Sequence, residues 1–225
     1  IRRDLNKPEA AVHFLVGGTQ TNYTVIDSIL RPYEGVLAAP TGHINVHETG
    51  AVEATGHKVL TAPIWTEADA AAVKAGKITG YQIDRYCQEH KDNGAFEHIV
   101  KPGMVYISFP TELGTIYSKS ELQEISAACA GRNIPLYIDG ARLGYGLTSP
   151  ECDITLPELA ALADVFYIGG TKQGALFGEA VVIRNESLKR DFRYFIKQNG
   201  GMLAKGRLLG IQYEVLFNTS YWTFD

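Results

Sequence analysis

The chain has 225 residues, of which 45% are hydrophobic and 20% are charged, so it is long enough to bury a core and a small-molecule site. Its formal net charge is -4 and its Lys and Arg residues are scattered, which argues against partners such as nucleic acid or an anionic membrane. Three cysteines without metal-ligand spacing argue against a disulfide framework and a metal site, and no apolar run could span a bilayer, so we expect a cytoplasmic protein.

Short apolar runs alternate along the chain with segments of helical spacing. The run at 12–16 is followed by two glycines and a helical segment at 19–30, and the same order recurs downstream. This alternation predicts one α/β domain over 1–225, with a mostly parallel sheet, helices on both faces, and ligands beyond the carboxyl ends of the strands. Further strands are predicted at 35–40, 58–64, 104–109, 134–139, 165–170 and 179–184, and further helices at 67–76, 80–90, 118–133, 156–163, 187–198 and 202–217.

The first candidate for chemistry is Gly17-Gly18-Thr19, between an apolar strand and a helix. Free backbone N–H groups and the helix dipole at such a position attract an anion, and a phosphate would fit. The alternative is an ordinary strand-to-helix turn, because Gly-Gly turns are common.

The second candidate is Asp139, which ends the apolar run at 134–139 and is followed three residues later by Arg142. A carboxylate at a strand end needs a partner. A salt bridge with Arg142 or the capping of the next helix would explain Asp139 without a ligand.

The third candidate is Lys172, which lies two residues after the end of the apolar run at 165–170 and precedes Gly174. A flexible loop therefore brings one lysine to the ligand edge of the sheet. Most lysines are simply solvated, but partial burial beside cationic groups would make this amine a nucleophile toward a carbonyl.

The fourth candidate is the polar connection that contains His43 and His47, between two predicted strands. Histidines in such a loop are often only exposed. An imidazole could instead stack on an aromatic cofactor, while a second histidine or Glu48 could move protons.

The order of these signals along the chain resembles the low-specificity L-threonine aldolase and β-eliminating lyase group of fold-type-I enzymes, which use pyridoxal 5'-phosphate (PLP). The segments VGGTQTN, HINVHETG, YIDGARL and YIGGTKQG carry the resemblance, and NGGMLAKG matches more loosely. The resemblance covers essentially the whole chain. It implies a three-layer, mostly parallel α/β sheet of the aspartate-aminotransferase type, with PLP as cofactor.

The resemblance also implies roles for individual residues. The cofactor positions are Gly18, Thr19 and Thr171 around the phosphate, His43 against the ring, Asp139 at the pyridine nitrogen, and Lys172 as the Schiff-base lysine. An aspartate beside that nitrogen keeps it protonated, which strengthens the ring as an electron sink. Lys172, His43 and Asp139 are thus the predicted catalytic residues.

Predicted substrate contacts are Arg142, His47 and Glu112. Arg142 matches a carboxylate ligand, whereas Glu112 stands where aldolases of this group have a second histidine, and Leu203 stands where they have an arginine. Glu112 or His47 is therefore the candidate base for a substrate hydroxyl. Glu48 matches a position of the family motif to which we assign no role.

The resemblance implies a lyase that cleaves the Cα–Cβ bond of β-hydroxy amino acids, as in the conversion of threonine to glycine and acetaldehyde. A β-eliminating lyase, an aminotransferase or a non-catalytic binding domain on the same fold are the alternatives. The resemblance also implies a homodimer or homotetramer. The family's N-terminal segment and C-terminal small domain have no counterpart in this sequence, so we expect a large domain from a longer protein.

Overall fold

The structure is a computed structural model that describes residues 1–218, and residues 219–225 of the predicted domain lie outside the described part. Seven strands form one sheet in this part of the chain. In chain order they are β1 (Ala11–Leu15), β2 (Glu34–Ala38), β3 (Lys58–Thr61), β4 (Lys101–Ser108), β5 (Leu136–Asp139), β6 (Val165–Gly169) and β7 (Glu179–Ile183).

The strands lie in the order β1-β7-β6-β5-β4-β2-β3. Neighbours from β6 to β3 are parallel, whereas β7 runs antiparallel to both β6 and β1. The predicted mostly parallel sheet is confirmed, and each predicted strand overlaps an observed one.

Helices connect the strands, and several of them begin at a hydroxyl residue that forms a capping box, among them Thr66, Thr79 and Ser118. No helix within residues 1–218 has the length and apolar character needed to cross a bilayer. In chain order the helices are α1 (Gly18–Ile29), α2 (His43–Val46), α3 (Ala51–Ala54), α4 (Glu67–Lys74), α5 (Gly80–Asp92), α6 (Lys119–Arg132), α7 (Leu143–Leu147), α8 (Leu156–Leu162), α9 (Phe192–Gln198) and α10 (Arg207–Asn218).

Two predicted helices are shorter than their sequence segments. The segment at 187–198 is divided, because Asp191 adopts a left-handed conformation with φ 60° and only then does α9 begin. The segment at 202–217 becomes helical only at Arg207, directly after Gly206, and glycine is a poor helix former.

The sheet has an apolar core on each face. Successive residues of a strand point to opposite faces, so Val36 and Leu37 of β2 belong to different cores. Helices α1 and α9 cover one face, with Val25 and Ile196 among the buried residues, whereas α5 and α6 cover the other. Fully burying one such aliphatic side chain contributes about 1.5–3 kcal/mol, which fixes the helices against the sheet.

This topology brings polar side chains to one edge of the sheet. Because β4, β5 and β6 are parallel, their last residues, Ser108, Asp139 and Gly169, lie together. β7 runs the other way, so its first residue, Glu179, reaches the same edge opposite Gly169. Glu179 is also paired with Leu15 at the end of β1, just before the Gly17-Gly18 turn.

Candidate active site

A cavity of about 300 Å³ lies at this edge of the sheet. It has the size and the mixed polar and apolar lining of a small-ligand site. His47 does not line it: this residue is exposed, and its ring centroid lies 5.5 Å from that of His43. The other predicted site residues all line the cavity: Gly18, Thr19, His43, Glu112, Asp139, Arg142, Thr171 and Lys172.

Helix α1 starts at the cavity. Its N-cap residue, Gly17, is extended, and no side chain caps the helix within the described part of the chain. The first backbone N–H groups are therefore free to bind an anion. A Cβ at Gly18 would lie 3.3 Å from the Tyr167 hydroxyl oxygen, so glycine allows the turn to approach the sheet closely.

Asp139 is 4% exposed, and its carboxylate accepts four hydrogen bonds. All four donors are neutral: Tyr106 Oη at 2.6 Å and Asn22 Nδ2 at 3.0 Å to Oδ2, and Tyr167 Oη at 2.5 Å and the Ala141 backbone N at 3.0 Å to Oδ1. No salt bridge among residues 1–218 includes Asp139, so the pairing with Arg142 considered from the sequence is not formed. The bond from Ala141, two residues on, makes a turn rather than a helix cap, because α7 begins only at Leu143.

Three buried tyrosines surround this carboxylate. Tyr106, Tyr137 and Tyr167 lie on the same face of three neighbouring strands, and burial raises the pKa of each well above its ordinary value. Their hydroxyls therefore remain protonated donors. Tyr137 donates to Asn22 Oδ1 at 2.8 Å, which directs the Asn22 amide hydrogens toward Asp139 and Glu48.

His43 is half-buried at the start of α2, and its Nδ1 lies 2.7 Å from Glu48 Oε1. The hydrogen bond with this carboxylate raises the pKa of His43, although burial opposes the shift. Glu48 is itself buried, and it also accepts a 2.6 Å hydrogen bond from Asn22 Nδ2. Asn22 thus links the residue beside His43 to Asp139, which gives the Glu48 position a structural role that the sequence did not reveal.

Glu112 joins the His43 segment to the end of β4. Its Oε1 accepts hydrogen bonds from the His43 backbone N at 2.8 Å and from Ser108 Oγ at 2.5 Å. Its Oε2 makes no hydrogen bond within residues 1–218, and the side chain lines the cavity. A carboxylate with one fixed and one free oxygen is suited to accept a proton from a bound molecule.

Lys172 and Arg142 are exposed residues on the open side of the cavity. A hydrogen bond joins their segments, because the Tyr145 hydroxyl of α7 donates to the Lys172 carbonyl oxygen at 2.9 Å. Gln173 strengthens this tie by accepting from the Gly144 backbone N and donating to the Gly169 carbonyl oxygen. The two cationic side chains are therefore brought to the same opening by packed elements rather than by a free loop.

Glu179 is a buried carboxylate in the same cavity, with 4% of its surface exposed. It accepts hydrogen bonds from the Gly170 backbone N at 2.9 Å and from Thr171 Oγ1 at 3.0 Å. Burial raises the pKa of Glu179 to about 7, while the Lys172 charge opposes this shift. The two residues directly before Lys172 are thus both held by one acidic residue.

The sequence did not place four polar side chains that line this cavity: Asn22, Ser108, Tyr167 and Glu179. A usable signal existed for the tyrosine, because Tyr-Ile precedes the last residue of β4, β5 and β6 alike. Asn22 lies about one helical turn after Thr19, so both side chains are on the same face of α1, and both line the cavity. The sequence gives no signal for Glu179, because the site is predicted beyond the carboxyl ends of the strands and Glu179 is the first residue of an antiparallel strand.

Comparison with known proteins shows the family of the chain. The β-eliminating lyase family matches residues 3–214. A low specificity L-threonine aldolase of Pseudomonas sp. (strain NCIMB 10558) is 32% identical over 222 residues, which are 98% of this chain and 60% of that protein. A solved Leishmania major threonine aldolase is 48% identical with a TM-score of 0.89, and the match covers 98% of this chain and 61% of that one.

A Thermus thermophilus aspartate aminotransferase shares only the fold, with 14% identity and a TM-score of 0.69 over 98% of this chain and 53% of that one. The predicted fold type is thereby confirmed. The chain spans about 60% of the length of the curated relatives that it matches. Since the family match covers nearly all of the described residues, the chain belongs to the β-eliminating lyase family.

Proposed function

We propose that this chain is the PLP-binding domain of a lyase that cleaves the Cα–Cβ bond of β-hydroxy amino acids, with threonine as the first substrate to test. One observation carries the proposal: a lysine, a buried carboxylate, a histidine and an uncapped helix N-terminus line the same cavity. The aldolase names of the relatives support the choice of reaction.

The donor set fits PLP. The free N–H groups at the start of α1 suit its phosphate, and the half-buried His43 ring suits its aromatic face. Within residues 1–218 Asp139 has only neutral hydrogen-bond donors, so a protonated ring nitrogen would be its cationic partner. When bound, PLP supplies an electron sink for a carbanion at Cα.

The protein's own groups would orient the amino acid. Lys172 would hold the cofactor covalently until substrate displaces it, and Arg142 would bind the substrate carboxylate with two parallel hydrogen bonds. Glu112 is a better candidate than His47 for the hydroxyl base, because Glu112 lines the cavity and His47 does not. Its free Oε2 would accept the β-hydroxyl proton as the Cα–Cβ bond breaks.

The first experiment is an absorbance spectrum of the purified protein with PLP, before and after borohydride, followed by peptide mapping. We expect a visible band that reduction removes, with the label on Lys172. Lys172→Ala should abolish the label while retaining weaker, non-covalent binding through the phosphate contacts. A labelled peptide that does not contain Lys172 would overturn the assignment.

Product analysis then tests the reaction. Glycine and acetaldehyde from threonine would support the aldolase assignment. Pyruvate and ammonia from a substrate with a β-leaving group would instead identify a β-eliminating lyase, and a keto acid formed only with a second substrate would identify an aminotransferase. The relatives are longer than this chain. If the natural protein is also longer than 225 residues, the assay is best made on that longer protein.

We also infer a homodimer or homotetramer, on the basis of the family resemblance. Light scattering of the purified protein measures this directly, and a monomer at assay concentration would contradict it. We further propose a cytoplasmic location, as predicted from the sequence.

A further inference from the structure

Thr171 presents a hydrogen-bond conflict in its predicted role at the phosphate. Its hydroxyl has one proton, and that proton is donated to Glu179 Oε1 at 3.0 Å. The same oxygen accepts from the Gly178 backbone N at 3.1 Å. A phosphate dianion offers only acceptors, so Thr171 cannot donate to it while it donates to Glu179.

The position of Glu179 adds an electrostatic conflict with a bound phosphate. Glu179 pairs with Leu15, two residues before the Gly17-Gly18 turn whose N–H groups suit a phosphate. Thr171, Gly18 and Glu179 also line one cavity. A phosphate at the start of α1 would therefore lie near a buried carboxylate, and two neighbouring anions repel each other.

We propose that Glu179 couples phosphate binding to the uptake of one proton from solvent. The protonated Glu179 donates to Thr171 Oγ1, and the Thr171 hydroxyl then turns its own proton to the phosphate. The proton that was shared with Glu179 is thus replaced by one from water. Thr171 Oγ1 then accepts from Glu179 and from the Gly178 backbone N, and its own proton is donated to the phosphate. The inference rests on the proposed function, because the phosphate is that of PLP.

The surroundings of Glu179 favour this exchange. Burial raises its pKa to about 7, so protonation near neutral pH costs little free energy. Two charged groups act on it: Asp139 raises its pKa further and Lys172 lowers it. The strand neighbours are Leu15 and Gly169, which carry no charge, and from α10 the buried Tyr213 is kept neutral because its pKa is raised.

The linkage has a definite sign. Below about pH 7 Glu179 already carries the proton, so phosphate binding does not depend on its titration. Above pH 7 the proton must be taken up, and the affinity for PLP should fall with rising pH by up to about tenfold per pH unit.

The test is the dissociation constant of PLP between pH 6 and pH 9 for the wild type and for Glu179→Gln. The glutamine amide of this variant can donate to Thr171 permanently, so the variant should bind PLP without this pH dependence. The ratio of the wild-type to the variant constant should therefore rise above pH 7. Taking the ratio cancels the titration of the phosphate itself.

Pyridoxal, which lacks the phosphate, is the matched ligand control. Pyridoxal also reacts with Lys172, so it reports any effect of Glu179 on Lys172. Its ratio should change less with pH than the ratio for PLP. Thr171→Val and Thr171→Ser test the link independently of Glu179: the valine variant should lose the pH dependence and the serine variant should keep it. Calorimetry in buffers of different ionisation enthalpy should detect proton uptake with PLP but not with pyridoxal.

Parallel pH curves for the wild type and Glu179→Gln, or the same slope with pyridoxal, would overturn the coupling and leave the proposed function intact. Retention of the slope in Thr171→Val would also overturn it. Failure of PLP to label Lys172 would overturn the proposed function and the coupling together.

Discussion

The pKa of His43 lies above its ordinary value because Glu48 accepts from the ring at 2.7 Å. Glu48→Gln removes the negative charge but keeps a hydrogen-bonding oxygen, so the pKa of His43 should fall. NMR titration of the imidazole measures this. Glu53→Gln, an exposed change in the next helix, is the control and should leave the titration unchanged.

The same pair gives a stability effect of defined sign. A folded-state pKa above the unfolded one means that the stabilisation is complete below about pH 6.5, the ordinary value, and is lost as pH rises through the folded pKa. The difference in unfolding free energy between wild type and Glu48→Gln should thus be larger at acidic pH. An equal difference at both ends of the range would show that the ring is not charged in the folded protein.

Glu112 provides a second test at the scale of one residue. Glu112→Gln preserves an oxygen for the Ser108 and His43 contacts but cannot accept a proton, so kcat for threonine should fall about 100-fold with little change in KM. Glu112→His places the base that the resembled family has there, and it should recover part of the activity. A glutamine variant within about twofold of wild type would exclude Glu112 as the base.

The sequence predicted the residues at strand ends but not the side chains that hold them. Asp139 and Lys172 follow apolar runs, and that position alone directs attention to them. Asn22 contacts both Asp139 and Glu48, partners 117 and 26 residues away, and no local pattern connects such distant positions. Long-range hydrogen bonds depend on how the strands are ordered in the sheet, which periodicity does not determine.

Helix α1 is the element on which phosphate binding depends. Thr19→Pro removes one N–H from its uncapped first turn, where proline is tolerated because no intrahelical bond is lost. The affinity for PLP should fall about tenfold or more relative to Thr19→Ala, which retains the N–H but also lacks the hydroxyl. Equal affinities for the two variants would show that the phosphate does not use this N–H, and thermal unfolding checks that both are folded.

The predicted helix starts agree with the observed ones where a capping residue marks the start of the helix. The capping boxes at Thr66, Thr79 and Ser118 place three helix starts within a residue or two of their predicted positions. The segment at 187–198 was wrong as a single helix, because the left-handed conformation of Asp191 interrupts a pattern that periodicity reads as continuous. The sequence pattern also did not predict that β7 is antiparallel to β6. This direction brings Glu179 to the cavity.

At the scale of the whole molecule, the cavity is a product of the sheet order. Residues from Val16 to Glu179 line it. They come from the ends of β4, β5 and β6, the start of β7, the starts of α1 and α2, and the loops beside them. No short segment of the chain contains more than a few of these groups. The unfolded chain therefore has no site for PLP, and binding is linked to folding.

This linkage predicts that PLP stabilises the domain against urea. A ligand that binds only the folded state adds about 2.7 kcal/mol to the unfolding free energy at a free concentration 100 times its dissociation constant. Pyridoxal should stabilise less, because it leaves the start of α1 unused, and Lys172→Ala should retain a smaller stabilisation by PLP through the phosphate contacts. If the urea midpoint stayed the same at every PLP concentration while Lys172 was labelled, the adduct would form on an unfolded or partly open chain, and the cavity would not be the binding site.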